Sequence, residues 1–182
     1  MNTKIKNKKG FSLVEVLISL LILSVGVAAV SVLMTNNIKN SITAKNQVIA
    51  AQLAQEGVEL VKNLKDNQLA TVFTTNADIT ANHTDYRIDL NSDFATFSGS
   101  SGATNKQLYL NTGIFSHTIN VASKPTKFFR QIAVVITIVD AKRVATVTSY
   151  VTWNGTGVPL PLSSCNVATK CVSIVAVLPD LE

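Results

Sequence analysis

Lys8-Lys9-Gly10-Phe11-Ser12-Leu13-Val14-Glu15, followed from Val16 through Ile38 by a run without a single charged residue, is the stretch that decides the architecture. About 20 apolar residues suffice to cross the hydrocarbon core of a bilayer as a helix. Lys4, Lys6, Lys8 and Lys9 precede that run with no acidic residue among them, so the positive-inside rule keeps the N-terminus cytoplasmic. The remainder of the chain is then exported.

Two ordinary readings fit this N-terminus in part. A basic region, an apolar region and a Val27-Ala28-Ala29 site would make a cleaved secretory signal, with the mature chain beginning at Val30. The length of the uncharged run would equally make a plain single-span anchor. Neither accounts for Glu15. A carboxylate in a membrane span costs roughly 2.5–3.5 kcal/mol at the bilayer centre and less near its interface, so it calls for a cationic partner. A cut between Gly10 and Phe11 would supply one, because the new α-amino group of Phe11 in one copy can meet Glu15 of a neighbour in a staggered array of helices.

With these residues in view, Gly10-Phe11-Ser12-Leu13-Val14-Glu15 and the uncharged helix behind it resemble the class III leader of type IV pilins and pseudopilins. The resemblance covers residues 1 to about 34. It implies cleavage after Gly10 by a prepilin peptidase, methylation of the new terminus at Phe11, and an assembly contact at Glu15. Many major pilins carry a helix-breaking proline in the apolar segment, whereas this chain has no proline before Pro125 and only Gly26 as a weak point. The wording from Glu15 to Gly26 is similar to minor pilins of the PilV kind and to pseudopilins. The implied partners are other pilin subunits in a filament, the peptidase, the inner-membrane assembly machinery and the membrane itself. The implied location is the cytoplasmic membrane, spanned once, and then an extracellular or periplasmic filament.

Composition agrees with export. The formal charge is +5, but removing residues 1–10 leaves 16 − 4 = 12 basic residues against 11 acidic ones, so the charge lies mostly in the leader and is a poor guide to anionic partners. At 182 residues there is room for one modest globular domain besides the helix. Cys165 and Cys171 carry no CxxC spacing and no nearby histidine, which argues against a tetrahedral metal site. A short disulfide is the natural reading, worth roughly 2 kcal/mol on the loop-entropy model and indicating an oxidising compartment; two reduced, buried thiols are the alternative.

Beyond the membrane segment the helical pattern continues. Ile38, Ile42, Ile49, Leu53, Leu60 and Leu64 recur with gaps of four and seven and repeat every eleven residues, a stripe that runs nearly straight along a helix and suits packing on a sheet. A helix from Phe11 to Asp66 would be roughly 84 Å long at about 1.5 Å per residue. Residues 67–126 are rich in Thr, Asn, Ser and Gly, with short apolar patterns at Tyr86–Leu90 and Gln107–Leu110, and the resemblance places the variable surface loop of pilins here. Phe128 to Asp140 and Arg143 to Trp153 read as an antiparallel hairpin turning around Asp140, Ala141 and Lys142. The period of two puts Val134, Ile136 and Ile138 on one face, with Val147, Val151 and Trp153 on the matching face of the second strand. Cys171–Leu178 reads as a further strand.

The expected fold class is therefore α+β: a leader (residues 1–10), a long helix (11–66, of which 11–38 is the membrane and assembly half) laid on an antiparallel sheet, and a β-rich head (67–182). No cofactor is implied. His83 and His117 stand in polar stretches without a metal-protease, nucleophile-elbow or phosphate-loop motif, so the chain reads as a non-enzyme. Lys124, Lys127, Arg130, Lys142 and Arg143, with Phe128, Phe129 and Tyr150 between them, could form an anionic-ligand patch for single-stranded DNA or acidic polysaccharide; charges on edges and turns that keep a sheet soluble and prevent edge pairing are the better explanation. Asn82-His83-Thr84 and Asn154-Gly155-Thr156 fit a glycosylation triplet that arises often by chance. An exported or anchored β-rich binding module, for which Glu15 would be incidental, is the rival to the pilin reading.

Overall fold

A computed structural model describes residues 10, 12–68, 86–90, 106–140, 142–155, 157–159 and 161–179. Its elements are a helix α1 (Leu13–Gln68) and strands β1 (Gln107–Asn111), β2 (Ile114–Ser116), β3 (Lys124–Val139), β4 (Lys142–Thr152) and β5 (Cys171–Leu178), with a 3-10 turn at Leu162–Ser164. All five strands pair antiparallel in the order β2-β1-β3-β4-β5. A long apolar helix whose second half packs on an antiparallel sheet is the α+β arrangement expected from the sequence.

Packing divides the chain between Ala44 and Lys45, inside α1. The first unit contributes the helix from Leu13 to Ala44, and its apolar side chains from Leu13 to Met34 are all exposed in the single chain. Helix α1 is unbroken through Gly26.

In the second unit the helical residues after Lys45 lie against one face of the sheet. The buried positions are Asn46, Ala50, Leu53, Ala54, Gly57, Val58, Val61 and Leu64, spaced by three and four as one face of a helix requires. This corrects the expected stripe. Leu53 and Leu64 belong to it, Ile49 and Leu60 are only half-buried, and Ile38 and Ile42 are exposed members of the first unit. Small residues displaced the larger ones: at Gly57 the helix comes so close that an added Cβ would lie 2.6 Å from Ser149 Oγ, 3.1 Å from Arg130 Cδ and 3.2 Å from Ile132 Cδ1.

Two apolar clusters fill the interface. Val61, Leu64, Tyr86, Ile88, Ile132, Val134, Ala145, Val147 and Leu178 form one; Ala50, Leu53, Ala54, Leu108, Phe128, Val151 and Trp153 form the other. The hairpin faces behave as the period of two demands, with one exception. Val134, Val147, Val151 and Trp153 are buried and Ile136 is half-buried, but Ile138 is 75% exposed. Leu64 is the last buried residue of the helix among those described.

The sheet is longer than the pattern indicated. Strand β3 begins at Lys124, ahead of Phe128; Pro125 stands in register with Tyr109 of β1, next to the register shift and ahead of the pairing with β4 that starts at Phe129, near a strand start, where proline is tolerated. Strand β2 was not anticipated. It closes on β1 through Thr112 and Gly113, both with positive φ (48° and 93°), the signature of a two-residue type I′ hairpin. Tyr86 makes an isolated bridge to Ile132, and the rest of Tyr86–Leu90 is irregular.

Candidate functional site

The junction of leader and helix is built from Gly10, Ser12 and Glu15; Phe11 and residues 1–9 lie outside the described residues. Gly10 is exposed, with nothing within 4 Å of where a Cβ would be. Ser12 holds the N-cap position: its carbonyl accepts the N–H of Glu15 (3.0 Å) and of Val16 (3.2 Å). Glu15 falls in the first turn, where the positive end of the helix dipole favours a carboxylate. A peptidase acting after Gly10 would meet a small, unencumbered residue just before regular structure begins. The terminus it created would stand two residues ahead of the helix.

Behind Glu15 the helix is prepared for apolar surroundings. Its hydroxyls bond to its own carbonyls: Ser19 Oγ to Glu15 O (2.8 Å), Ser24 Oγ to Leu21 O (2.8 Å), Ser31 Oγ to Val27 O (2.9 Å) and Thr35 Oγ1 to Ser31 O (2.9 Å). In lipid such groups must be satisfied within the segment. Among the described residues, α1 is the helix long and apolar enough to cross a membrane. With these hydroxyls tied back, Glu15 is the only formal charge between Leu13 and Ile38.

The five basic residues grouped from the sequence are not brought together. Lys124 and Lys127 lie at the start of β3, and Lys127 Nζ sits 5.8 Å from the Phe128 ring centroid. Lys142 and Arg143 lie at the opposite end of the hairpin, where Lys142 pairs with Val139. The strand between Lys127 and Val139 spans about 40 Å at roughly 3.3 Å per residue. Arg130 is not a surface cation at all. Its parity puts it on the face shared with Phe128 and Ile132, and it is fully buried.

Arg130 is instead the hub of a polar network that joins three parts of the head. Nη1 donates to Glu56 Oε1 (2.9 Å) and Leu53 O (3.3 Å) on the helix, and Nη2 donates to Ile88 O (2.7 Å). Next to it, Asp89 accepts the backbone N–H of His117 at 2.8 and 3.0 Å, its Oδ1 lies 2.8 Å from His117 Nδ1, and its Oδ1 is 3.9 Å from Arg130 Nη2. His117 Nε2 faces the Arg130 carbonyl at 3.3 Å. Burial alone pushes the Asp89 carboxyl up, but the hydrogen bonds and charge of His117, together with the Arg130 guanidinium, outweigh it and hold the carboxyl below the usual range. Sequence reading missed this network because His117 and Asp89 stand in polar stretches whose contacts are set by tertiary packing. The signal that could have found it is Arg130 itself, a cation at a core-parity position of a strand.

Cys165 and Cys171 are joined by a disulfide that ties the start of β5 to the preceding loop. His83, the triplet at residues 82–84 and Thr156 lie outside the described residues. Among the described residues, no group of three or more His, Cys, Asp or Glu is placed to hold a metal ion.

Compared with known proteins, residues 5–31 match a family model described as the prokaryotic N-terminal methylation motif. No curated protein and no solved structure matches the chain. The matched segment runs from the leader lysines through Glu15 into the apolar helix, so the N-terminus carries a prepilin-type leader, and with the helix-on-sheet fold this supports a type IV pilin-like protein.

Proposed function

We propose that the chain is a structural subunit, of the minor kind, of a type IV pilus or related pseudopilus. A prepilin peptidase cuts after Gly10, the new terminus at Phe11 is methylated, and the processed chain leaves the cytoplasmic membrane for a filament held together by its N-terminal helices. The observation that carries this reading is one helix whose residues from Leu13 to Ile38 are exposed in the single chain, are mostly apolar and carry no formal charge except Glu15 at the head. Such a surface must be covered by lipid or by other helices. Glu15 gives it a reason to prefer helices, since a neighbour's Phe11 amine neutralises a charge that lipid cannot. The continuous helix through Gly26, with no proline, supports the minor role by resemblance. Other pilin subunits, the peptidase and the inner-membrane assembly machinery are the partners this mechanism requires.

Mass spectrometry of the N-terminal peptide from membrane and sheared surface fractions of the native cell tests the proposal. The expected peptide begins at N-methylated Phe11 and occurs in both fractions. A terminus at Val30, or an uncut Met1, would favour the exported or anchored module and remove the role given to Glu15.

A further inference from the structure

Cys165 and Cys171 are bonded to each other, but their surroundings differ. Cys171 opens β5 and is 1% exposed. Val172 and Ile174 pack on the core beneath the helix, so by the period of two Cys171 lies on the opposite face of the sheet. There it stands in register with Thr152 of β4, which is also fully buried, and the bond brings the loop of residues 161–170 to the same side. Cys165 ends the 3-10 turn in that loop. It is half-buried, and Asn166, Val167 and Ala168 after it are exposed.

The loop is shaped by hydrogen bonds in which sulfur takes no part. The Cys165 N–H donates to Leu162 O (3.1 Å), the Lys170 N–H to Val167 O (3.0 Å) and the Cys171 N–H to Asn166 O (2.9 Å). Thr169 Oγ1 accepts the Asn166 N–H at 3.0 Å and lies 2.9 Å from both Ser164 O and Asn166 O, while the Thr169 N–H donates to Asn166 Oδ1 at 3.1 Å. Lys170 O accepts the Trp153 N–H at 3.1 Å, which fastens the end of the loop to the end of β4. These contacts hold the two cysteines side by side whether or not their sulfurs are joined.

Thiol–disulfide exchange passes through a mixed disulfide and depends on access to the sulfur that attacks. We propose that the bond is installed on the folded head by exchange at Cys165 with an external disulfide, and that Cys171 is the resolving thiol. The Cys165 thiolate attacks one donor sulfur, forming a bond between Cys165 Sγ and the donor, and the second donor sulfur leaves as a thiolate. The Cys171 thiolate then attacks Cys165 Sγ, and the first donor sulfur leaves in turn. Two thiols of this chain are oxidised, the donor disulfide is reduced to two thiols, and the protons released from Cys165 and Cys171 pass to the donor. The roles are not interchangeable, because Cys171 beneath the loop offers an incoming molecule no line of approach. This places an oxidation step after folding of the head, and it stands independently of the pilus-subunit reading.

The full chain in detergent tests the assignment, with glutathione disulfide as the donor. After reduction and removal of the reductant, a pulse of iodoacetamide should alkylate Cys165 at least tenfold faster than Cys171, whereas in urea the two rates should agree. Cys171→Ser should trap the glutathione adduct at Cys165, and Cys165→Ser should form it at Cys171 at least tenfold more slowly. The parent should close its bond without the adduct building up. In Asn166→Ala, Thr169→Val, which loosens the loop and keeps both cysteines, the adduct should accumulate at least tenfold above the parent. Equal alkylation of the two cysteines in the folded parent, or faster alkylation of Cys171, would overturn the assignment. Closure of the loosened loop without accumulated adduct would overturn its role in bringing the thiols together.

Discussion

Gly57 of the helix faces Ser149 of β4 so closely that no side chain fits between them: a Cβ on Gly57 would stand 2.6 Å from Ser149 Oγ. That hydroxyl is buried without a hydrogen-bond partner. The contact therefore combines a helix glycine, which costs about 1 kcal/mol in propensity against alanine, with an unsatisfied polar atom. Both are accepted for the sake of close approach.

Gly57→Ala should destabilise the chain by about 1 kcal/mol. Overpacking costs about 1–3 kcal/mol, and the helix-propensity gain of about 1 kcal/mol offsets part of it. In a Ser149→Ala background the tightest contact is gone, and the same substitution should become neutral or stabilising. Urea unfolding of the four chains of this double-mutant cycle in detergent measures the coupling. Equal effects of Gly57→Ala in both backgrounds would show that Arg130 and Ile132, not Ser149, set the limit.

Arg130 and Glu56 should respond unequally to substitution. The guanidinium is fully buried, while the Glu56 side chain is 39% exposed. Arg130→Met strands the Ile88 carbonyl and removes the cation beside the Asp89 carboxylate, and losing one member of a buried pair costs roughly 3–5 kcal/mol. Arg130→Lys should recover only part of this, since an ammonium cannot reproduce the planar fork that reaches Leu53, Glu56 and Ile88 together. Glu56→Gln keeps an acceptor at a solvated site and should cost under about 1 kcal/mol. Comparable losses for Arg130→Met and Glu56→Gln would contradict the hub role of Arg130.

Asp89 sets an acid limit on the head. Its carboxyl is held below the ordinary value in the folded chain, so the unfolded chain binds the proton more readily. The stability this adds is present above the unfolded value of about 3.9 and is lost as pH falls through the lower folded value. Asp89→Asn should therefore be less stable than the parent at pH 7, and the difference should shrink below about pH 4. Thermal unfolding against pH for both chains checks this; a difference that widened on acidification would reverse the sign of the argument.

The elements that could be read from the sequence are those whose pattern is local. Strand β5 occupies the expected Cys171–Leu178, and the helix runs Leu13–Gln68 where 11–66 was expected. Strand β2 escaped notice because three residues carry no periodicity, although Thr112-Gly113 held the turn chemistry of a hairpin. The helix stripe was misread because large aliphatic residues were counted and small ones were not, while Ala50, Ala54 and Gly57 are buried for their size. Arg130 was grouped by charge when its parity with Ile132 and Val134 was the better guide. The leader motif needed no tertiary information, since the pattern matched over residues 5–31 is one of linear sequence.

Removing the tie between Cys165 and Cys171 should cost roughly 2 kcal/mol, the loop-entropy figure for so short a ring. The loss should appear first at β5, whose start the bond holds, so hydrogen exchange in the Cys165→Ser, Cys171→Ser chain should rise at residues 171–174 ahead of the β3–β4 hairpin. Uniform acceleration across the sheet would mean that the bond acts through the unfolded chain alone.

Glu15 offers the sharpest separation between the pilin mechanism and a simple anchor. If its role is to neutralise a neighbour's Phe11 amine, charge is what counts, and Glu15→Gln should fail almost as fully as Glu15→Ala even though the amide still hydrogen-bonds. Each lost factor of ten in incorporation corresponds to about 1.4 kcal/mol, and an unpaired charge held among apolar helices costs more than that. Incorporation into sheared filaments should therefore fall at least tenfold for both variants. Cleavage after Gly10 should continue, because Gly10 and the leader lysines are untouched. Glu15→Asp, which keeps the charge on a shorter stem, should assemble better than Glu15→Gln. Normal incorporation of Glu15→Gln would show that polarity alone suffices and would remove the charge-pairing role given to Glu15.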